Sequence, residues 1–182
     1  YHATTCTICV PHMQARIEIG LGQGAVRPFY VIQMDDHHVA HDIIKASAGR
    51  IKTVSTLAFT CIASGVTVFA KRADFTSQRA AVAFFVHWFK RFGGCAVLWH
   101  DNFAPYLAEM MATVAHMCGT KRQITTATGS HAVYAELRLA VLNRVFREAF
   151  IPGQLRNEQD LDLALAGAEM EINRFTQCDG AT

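Results

Sequence analysis

The chain has 182 residues, 51% of them apolar and 18% charged, enough for one well-packed core and unlike a disordered protein. A formal net charge of +2 is too small to mark a nucleic-acid binder, so any affinity for phosphate has to come from local clusters of Lys and Arg. No apolar run reaches the roughly 18–20 residues of a membrane span. The six cysteines are too scattered for a disulfide scaffold, which fits reduced thiols in an intracellular compartment.

The chain opens at Tyr1 with neither an initiator Met nor a signal-peptide pattern, as expected of a fragment or a processed chain. Residues 1–29 are the least regular. Cys6 and Cys9 have C-x-x-C spacing, which suits two thiolates on one tetrahedral zinc, with His2 and His12 the only local candidates to complete it. A plain pair of reduced thiols in a turn fits the same residues. Gly20, Gly22, Gly24 and Pro28 then mark a linker.

Three strands are expected next: Val31 to His38, Ile51 to Ala63, and Val66 to Ala70, the last two joined as a hairpin at Ser64-Gly65. The first is an apolar run that ends in two adjacent acids, Asp35 and Asp36. A carboxylate at such a place needs a donor, a cation or water as partner. His37 and His41 stand four apart and would share a metal if helical, although polar loop histidines explain them as well.

A helix opens at Thr76 or Ser77 and runs through Ala81, Phe84, Phe85, Trp88 and Phe89 to Gly93-Gly94. Cys95 to Trp99 reads as a strand buried on both faces, and it runs into His100-Asp101-Asn102. A helix from Pro105 to Met117 and a short strand over Lys121–Thr126 follow. A long helix then spans about Ala132 to Phe150, with Glu136, Ala140, Asn143 and Arg147 along one face. The last helix, roughly Asn157 to Phe175, reads as an amphipathic packing or assembly element whose charges form a solvated face.

This order of elements indicates an α/β fold with a mixed sheet flanked by helices. Asp35, Asp101 and Glu136 are its three notable acids, with 65 residues between the first two and 34 between the last two. If two central strands end side by side, the two aspartates meet and the long helix lays Glu136 across them.

Gln33-Met34-Asp35, Asp101-Asn102, and Ser130 through Glu136 with Asn143-Arg144 together resemble the motifs of the catalytic core of retroviral and long-terminal-repeat retrotransposon integrases, which has a ribonuclease H-like fold. The resemblance covers most of the chain. It implies a remnant of a zinc-binding region and linker over 1–29, with Cys6 and Cys9 as its cysteine half, a catalytic core over 30–153, and a C-terminal packing or assembly helix over 154–182. It also implies an Asp35–Asp101–Glu136 triad holding two Mg²⁺ or Mn²⁺ ions, DNA as substrate, 3′-end processing and strand transfer as chemistry, a homo-oligomer or larger assembly, and nuclear localisation.

Asp36 is the rival for the first position, but strand alternation turns it to the opposite face from Asp35. Lys71, Arg72, Lys121, Arg122, Asn143, Arg144 and Arg147 are the expected nucleic-acid contacts, sequence-tolerant and salt-sensitive. The chain departs from the family pattern at Phe103, where a glycine is usual after Asp-Asn, at Ala132, and at Ala140, which lacks a basic residue. Those departures define a second reading, a catalytically degenerate integrase-like subunit of a larger complex. A nuclease of the same superfamily acting on RNA is a third.

Overall fold

The computed structural model describes residues 28–38, 49–124 and 133–178. Within them a five-stranded sheet has the order β3-β2-β1-β4-β5, built from β1 (Val31–His37), β2 (Ser55–Cys61), β3 (Thr67–Arg72), β4 (Val97–His100) and β5 (Lys121–Ile124). The first three strands pair antiparallel, whereas β1 with β4 and β4 with β5 pair parallel. The sheet is therefore mixed and flanked by helices, compatible with the ribonuclease H-like fold expected from the sequence.

Each strand forms where the residues demand it. β2 and β3 alternate Leu57, Phe59 and Val68 with Ala58 and Phe69, so both faces bury apolar side chains. The expected hairpin joins them: Gly65 adopts φ +70°, a left-handed conformation open to glycine, and its N–H donates to the Cys61 carbonyl at 2.8 Å.

One face of the sheet carries Ile32, Met34, Leu57, Phe59 and Leu98 and is covered by the segment between β3 and β4 and by the helices after β4. That first segment begins as α1 (Ser77–Ala83), capped by the Thr76 hydroxyl, which accepts from the Arg79 N–H at 3.3 Å; such a cap is worth about 1 kcal/mol. It continues through a π-helical stretch (Phe84–Phe89) into α2 (Lys90–Phe92), and the wider π turn buries Phe84 and Trp88 together. Gly94 follows, where a Cβ would come within 2.7 Å of the Cys118 carbonyl, so the close approach to the next helical layer needs a glycine. The helix expected from Pro105 to Met117 is broken at Ala108 into α3 (Ala104–Leu107) and α4 (Glu109–Met117), because Ala108 has extended backbone with ψ 153°.

The opposite face is covered by α5 (Val133–Ala149) and α6 (Glu158–Cys178). Leu139, Leu142 and Phe146 of α5 and Leu161, Leu165, Ala168 and Ile172 of α6 form one buried cluster with Ile51, Ala58 and Phe69. Full burial of a side chain such as Leu142 or Phe146 is worth about 1.5–3 kcal/mol.

The charges on α6 are not merely a solvated face, as the sequence suggested. β3 is an outer strand, and α6 lies along it. Asn173 accepts from the Thr67 N–H and donates to the Thr67 carbonyl, both at 2.8 Å, and Glu169 accepts from the Phe69 N–H at 3.1 Å. Glu158 accepts from the backbone N–H groups of Lys52 and Thr53 ahead of β2, and with Asp162 it holds the Lys71 ammonium at 2.8 and 2.9 Å. An open strand edge presents unpaired donors and acceptors, and these side chains satisfy them. Among the described residues, no helix is long and apolar enough to cross a membrane.

Replacing Asn173 by Ala leaves the Thr67 amide and carbonyl without their partner. The expected cost is about 1–3 kcal/mol, read as a lower midpoint of urea unfolding with an unchanged slope.

Candidate active site

The site is built from the β1–β4 pairing outward. Val31 pairs with Val97, Ile32 with Leu98 and Gln33 with Trp99. The ladder ends at Gln33 and Trp99; Asp35 follows two residues on within β1, and Asp101 stands just beyond the last residue of β4. Local propensity could not have made these two strands neighbours; the ladder does it.

Asp35 is half-buried, and its Oδ1 accepts the Asp36 N–H at 2.8 Å. Loss of water pushes its carboxyl up to about 7; the Asp36 N–H resists this, while the charges of Asp101, Asp36 and Glu136 add to it. Asp101 and Glu136 therefore bear electrostatically on Asp35. Asp101 is exposed, and its Oδ1 accepts the Phe103 N–H at 3.1 Å. Just before it, His100 is buried, with Nδ1 2.7 Å from the Asp101 carbonyl oxygen, and burial lowers its pKa so that it stays a neutral ring.

Gln33 explains how α5 reaches the site. It shares a strand face with Asp35, it is 2% exposed, and its Oε1 accepts the Ala135 N–H at 3.1 Å. That bond ties the first turn of α5 to β1 at the residue next to Glu136, which is exposed. Gln33 thus does structural work that its place in a Gln-x-Asp sequence only hints at.

Among the described residues, no three His, Cys, Asp or Glu side chains are gathered tightly enough to hold a metal as they stand. The donors are nonetheless of the right kind. Hard carboxylate oxygens suit Mg²⁺ or Mn²⁺, and a carboxyl held near 7 by its neighbours and by desolvation is a group that a divalent cation would relieve.

Asp36 behaves as strand alternation predicts and faces the other side of the sheet. There it meets Arg72, whose Nη1 lies 2.8 Å from its Oδ2. Burial lifts the Asp36 carboxyl above its ordinary range, and Arg72 and the Tyr106 hydroxyl pull it back.

The expected phosphate contacts divide. Arg72 is 0% exposed and bonded to Asp36, to the Asp74 carbonyl at 3.0 Å and to Tyr106 Oη at 3.3 Å, which corrects the reading of Arg72 as a surface contact. A guanidinium at the end of a strand looks solvent-facing in sequence, but here an acid 36 residues away claims it. Lys71 is committed to Glu158 and Asp162. Arg122 is half-buried and donates to the Tyr106 carbonyl at 2.7 Å. Lys121, Arg144 and Arg147 are exposed, with Arg144 only loosely paired to Glu148 at 3.8 Å, and Asn143 is half-buried. Cys6, Cys9 and His41 lie outside the described residues; His37 is exposed.

The sequence did not single out His100, Tyr106, or the partnership of Phe103 with Arg72. The polar His at the end of an apolar run was the one available signal.

No protein-family model and no curated protein sequence matches the chain. Among solved structures, the fold is similar to a chain of the simian T-cell lymphotropic virus intasome in complex with the PP2A regulatory subunit B56 gamma, with a TM-score of 0.61 and 16% identity. The likeness covers 81% of this chain and 49% of that one, so this chain spans about half the length of its structural relative. At that identity the likeness is one of fold: this is a mixed α/β domain with the chain path of that structure.

The raised Asp35 carboxyl has a consequence for stability. Its folded pKa of about 7 exceeds the unfolded value near 3.8, so between those values the folded state holds a proton that the unfolded state has released. Its contribution is fully present below about pH 4 and is lost as pH rises through 7. Asp35→Asn should flatten that slope and raise unfolding free energy at pH 8 by about 1–3 kcal/mol, measured by denaturant titration at pH 5 and pH 8.

Proposed function

We propose that this chain is the catalytic core of an integrase-like polynucleotidyl transferase that processes and joins DNA ends with two divalent metal ions. The observation that supports this reading is that β1, which carries Asp35, and β4, which Asp101 follows, are parallel neighbours, with the charges of Asp101 and Glu136 both bearing on the Asp35 carboxyl. Asp35 and Asp101 would hold Mg²⁺ or Mn²⁺ jointly, and Glu136 would complete the second site. Bound metal would supply a nucleophile from water or a DNA 3′-hydroxyl and stabilise the leaving oxygen.

The chain's own residues support this in three ways. Gln33 ties the first turn of α5, which carries Glu136, to β1; backbone N–H groups orient the two aspartates; and desolvation raises the Asp35 carboxyl, which a cation would relieve. Lys121, Arg144 and Arg147 are the exposed cations left for phosphates on this reading, joined by Asn143; Lys71 and Arg72 are not available. Cys6 and Cys9 would be half of a zinc site, and assembly into an oligomer in the nucleus would follow from joining two DNA ends at once.

A second reading, a degenerate integrase-like subunit of a larger assembly, is favoured by one observation: the carboxylates are not gathered into a three-ligand cluster among the described residues. A strand-transfer assay on short DNA duplexes with Mg²⁺ decides between the two. Joining by the wild type, with activity lost by about a hundredfold or more in both Asp101→Asn and Asp35→Asn while circular dichroism shows an intact fold, is the expected result. Cleavage of RNA instead of joined DNA would assign a nuclease. No turnover of either substrate, with no Mg²⁺-induced rise in melting temperature, would assign the non-catalytic subunit.

A further inference from the structure

Arg72 is a fully buried arginine at the end of β3, on the side of the sheet away from Asp35. It touches two chains of contact, and each ends on one of the two strand-end aspartates. Along the first, Arg72 Nη1 holds Asp36 Oδ2 at 2.8 Å, and the Asp36 N–H donates to Asp35 Oδ1 at 2.8 Å. Along the second, the guanidinium lies 5.9 Å from the centre of the Phe103 ring, and the Phe103 N–H donates to Asp101 Oδ1 at 3.1 Å.

The surroundings make these contacts rigid. Phe75 and Tyr106 also flank the guanidinium, at 5.1 and 5.7 Å, and Phe103 packs edge-on against both, at 6.1 and 5.3 Å. Nε is spent on the Asp74 carbonyl, and Nη2 is buried with no hydrogen-bond partner among the described residues. An arginine stacked on aromatic rings and paired to a carboxylate loses most of its freedom, so what it grips is fixed as well. Phe103, which replaces a glycine expected from the sequence resemblance, supplies a ring for the grip.

We propose that Arg72 is a positioning residue that sets the separation and orientation of Asp35 and Asp101 from behind the sheet. It touches neither carboxylate. It clamps Asp36 and Phe103, the residues whose backbone N–H groups aim the two acids, and it neutralises Asp36, whose charge otherwise adds to that around Asp35. The inference rests on the catalytic reading above for its effect on turnover, but not for its effect on geometry.

Amide hydrogen exchange, followed by NMR on the full chain, tests the geometry without any substrate. In Arg72→Gln the Asp36 and Phe103 amides should exchange at least about tenfold faster, while β2 and α6 amides keep their rates. Arg72→Lys should restore the Asp36 arm in part and the Phe103 arm less, because an ammonium lacks the planar stack. Should Arg72→Gln fail to fold, Phe103→Leu takes its place; it keeps an apolar side chain, loses the ring face, and should speed exchange at Phe103 alone.

In the strand-transfer assay, Arg72→Gln should lower kcat at least tenfold with a less than twofold change in KM for DNA, and should need more Mn²⁺ for half-maximal activity. Unchanged exchange at both amides in a folded variant overturns the positioning role, whatever the activity. Altered exchange alongside a wild type that turns over no DNA keeps the clamp and removes the catalytic reading instead.

Discussion

The parallel pairing of β1 with β4 is the constraint on which the rest of this structure depends. A β-ladder is indifferent to what its strands carry, yet this one makes neighbours of the strand that holds Asp35 and the strand that Asp101 follows. Strands sit about 4.8 Å apart, so two anions placed this way repel each other unless water, protons or cations intervene. The pairing is sustained by the apolar content of both strands and by the two helical layers, not by anything at the site.

Two adjacent acids meet opposite fates because a strand alternates. Asp35 faces the side where α5 lies, and desolvation raises its carboxyl. Asp36 faces the other side and receives Arg72. A buried ion pair of this kind contributes little net stability, since desolvating both charges consumes most of their attraction, but removal of one partner is costly. Strand alternation turns Asp36 to that face, and Arg72 holds it there.

The outer strand β3 presents a different problem with the same physics. Its unpaired backbone groups are met by polar side chains of α6 rather than by another strand. Acids that look spare in a helical wheel are therefore committed, and Lys71 is committed with them. Few of the expected cations remain for a nucleic acid, and these sit on β5 and on the exposed part of α5. The fold is shared with a chain of the viral intasome structure, and a fold by itself hosts many activities.

What the sequence determined by itself was everything governed by short-range periodicity. Alternating apolar residues placed β1, β2 and β3; Thr76 and Ser77 marked the start of α1; Ser64-Gly65 set the hairpin; and the long helix after Gly129 was legible as a helix. The opposite facing of Asp35 and Asp36 followed from the two-residue repeat alone. Tertiary structure decided what depends on partners far along the chain: the break at Ala108, the burial of Arg72 by Asp36 and three aromatic rings, the tie from Gln33 to Ala135, and the spending of α6 acids on β3. A charged side chain at a strand end is equally good in water or against a buried counter-charge. Only the packing of distant segments selects between them, because the free energy that does so resides in contacts between residues that no local pattern relates.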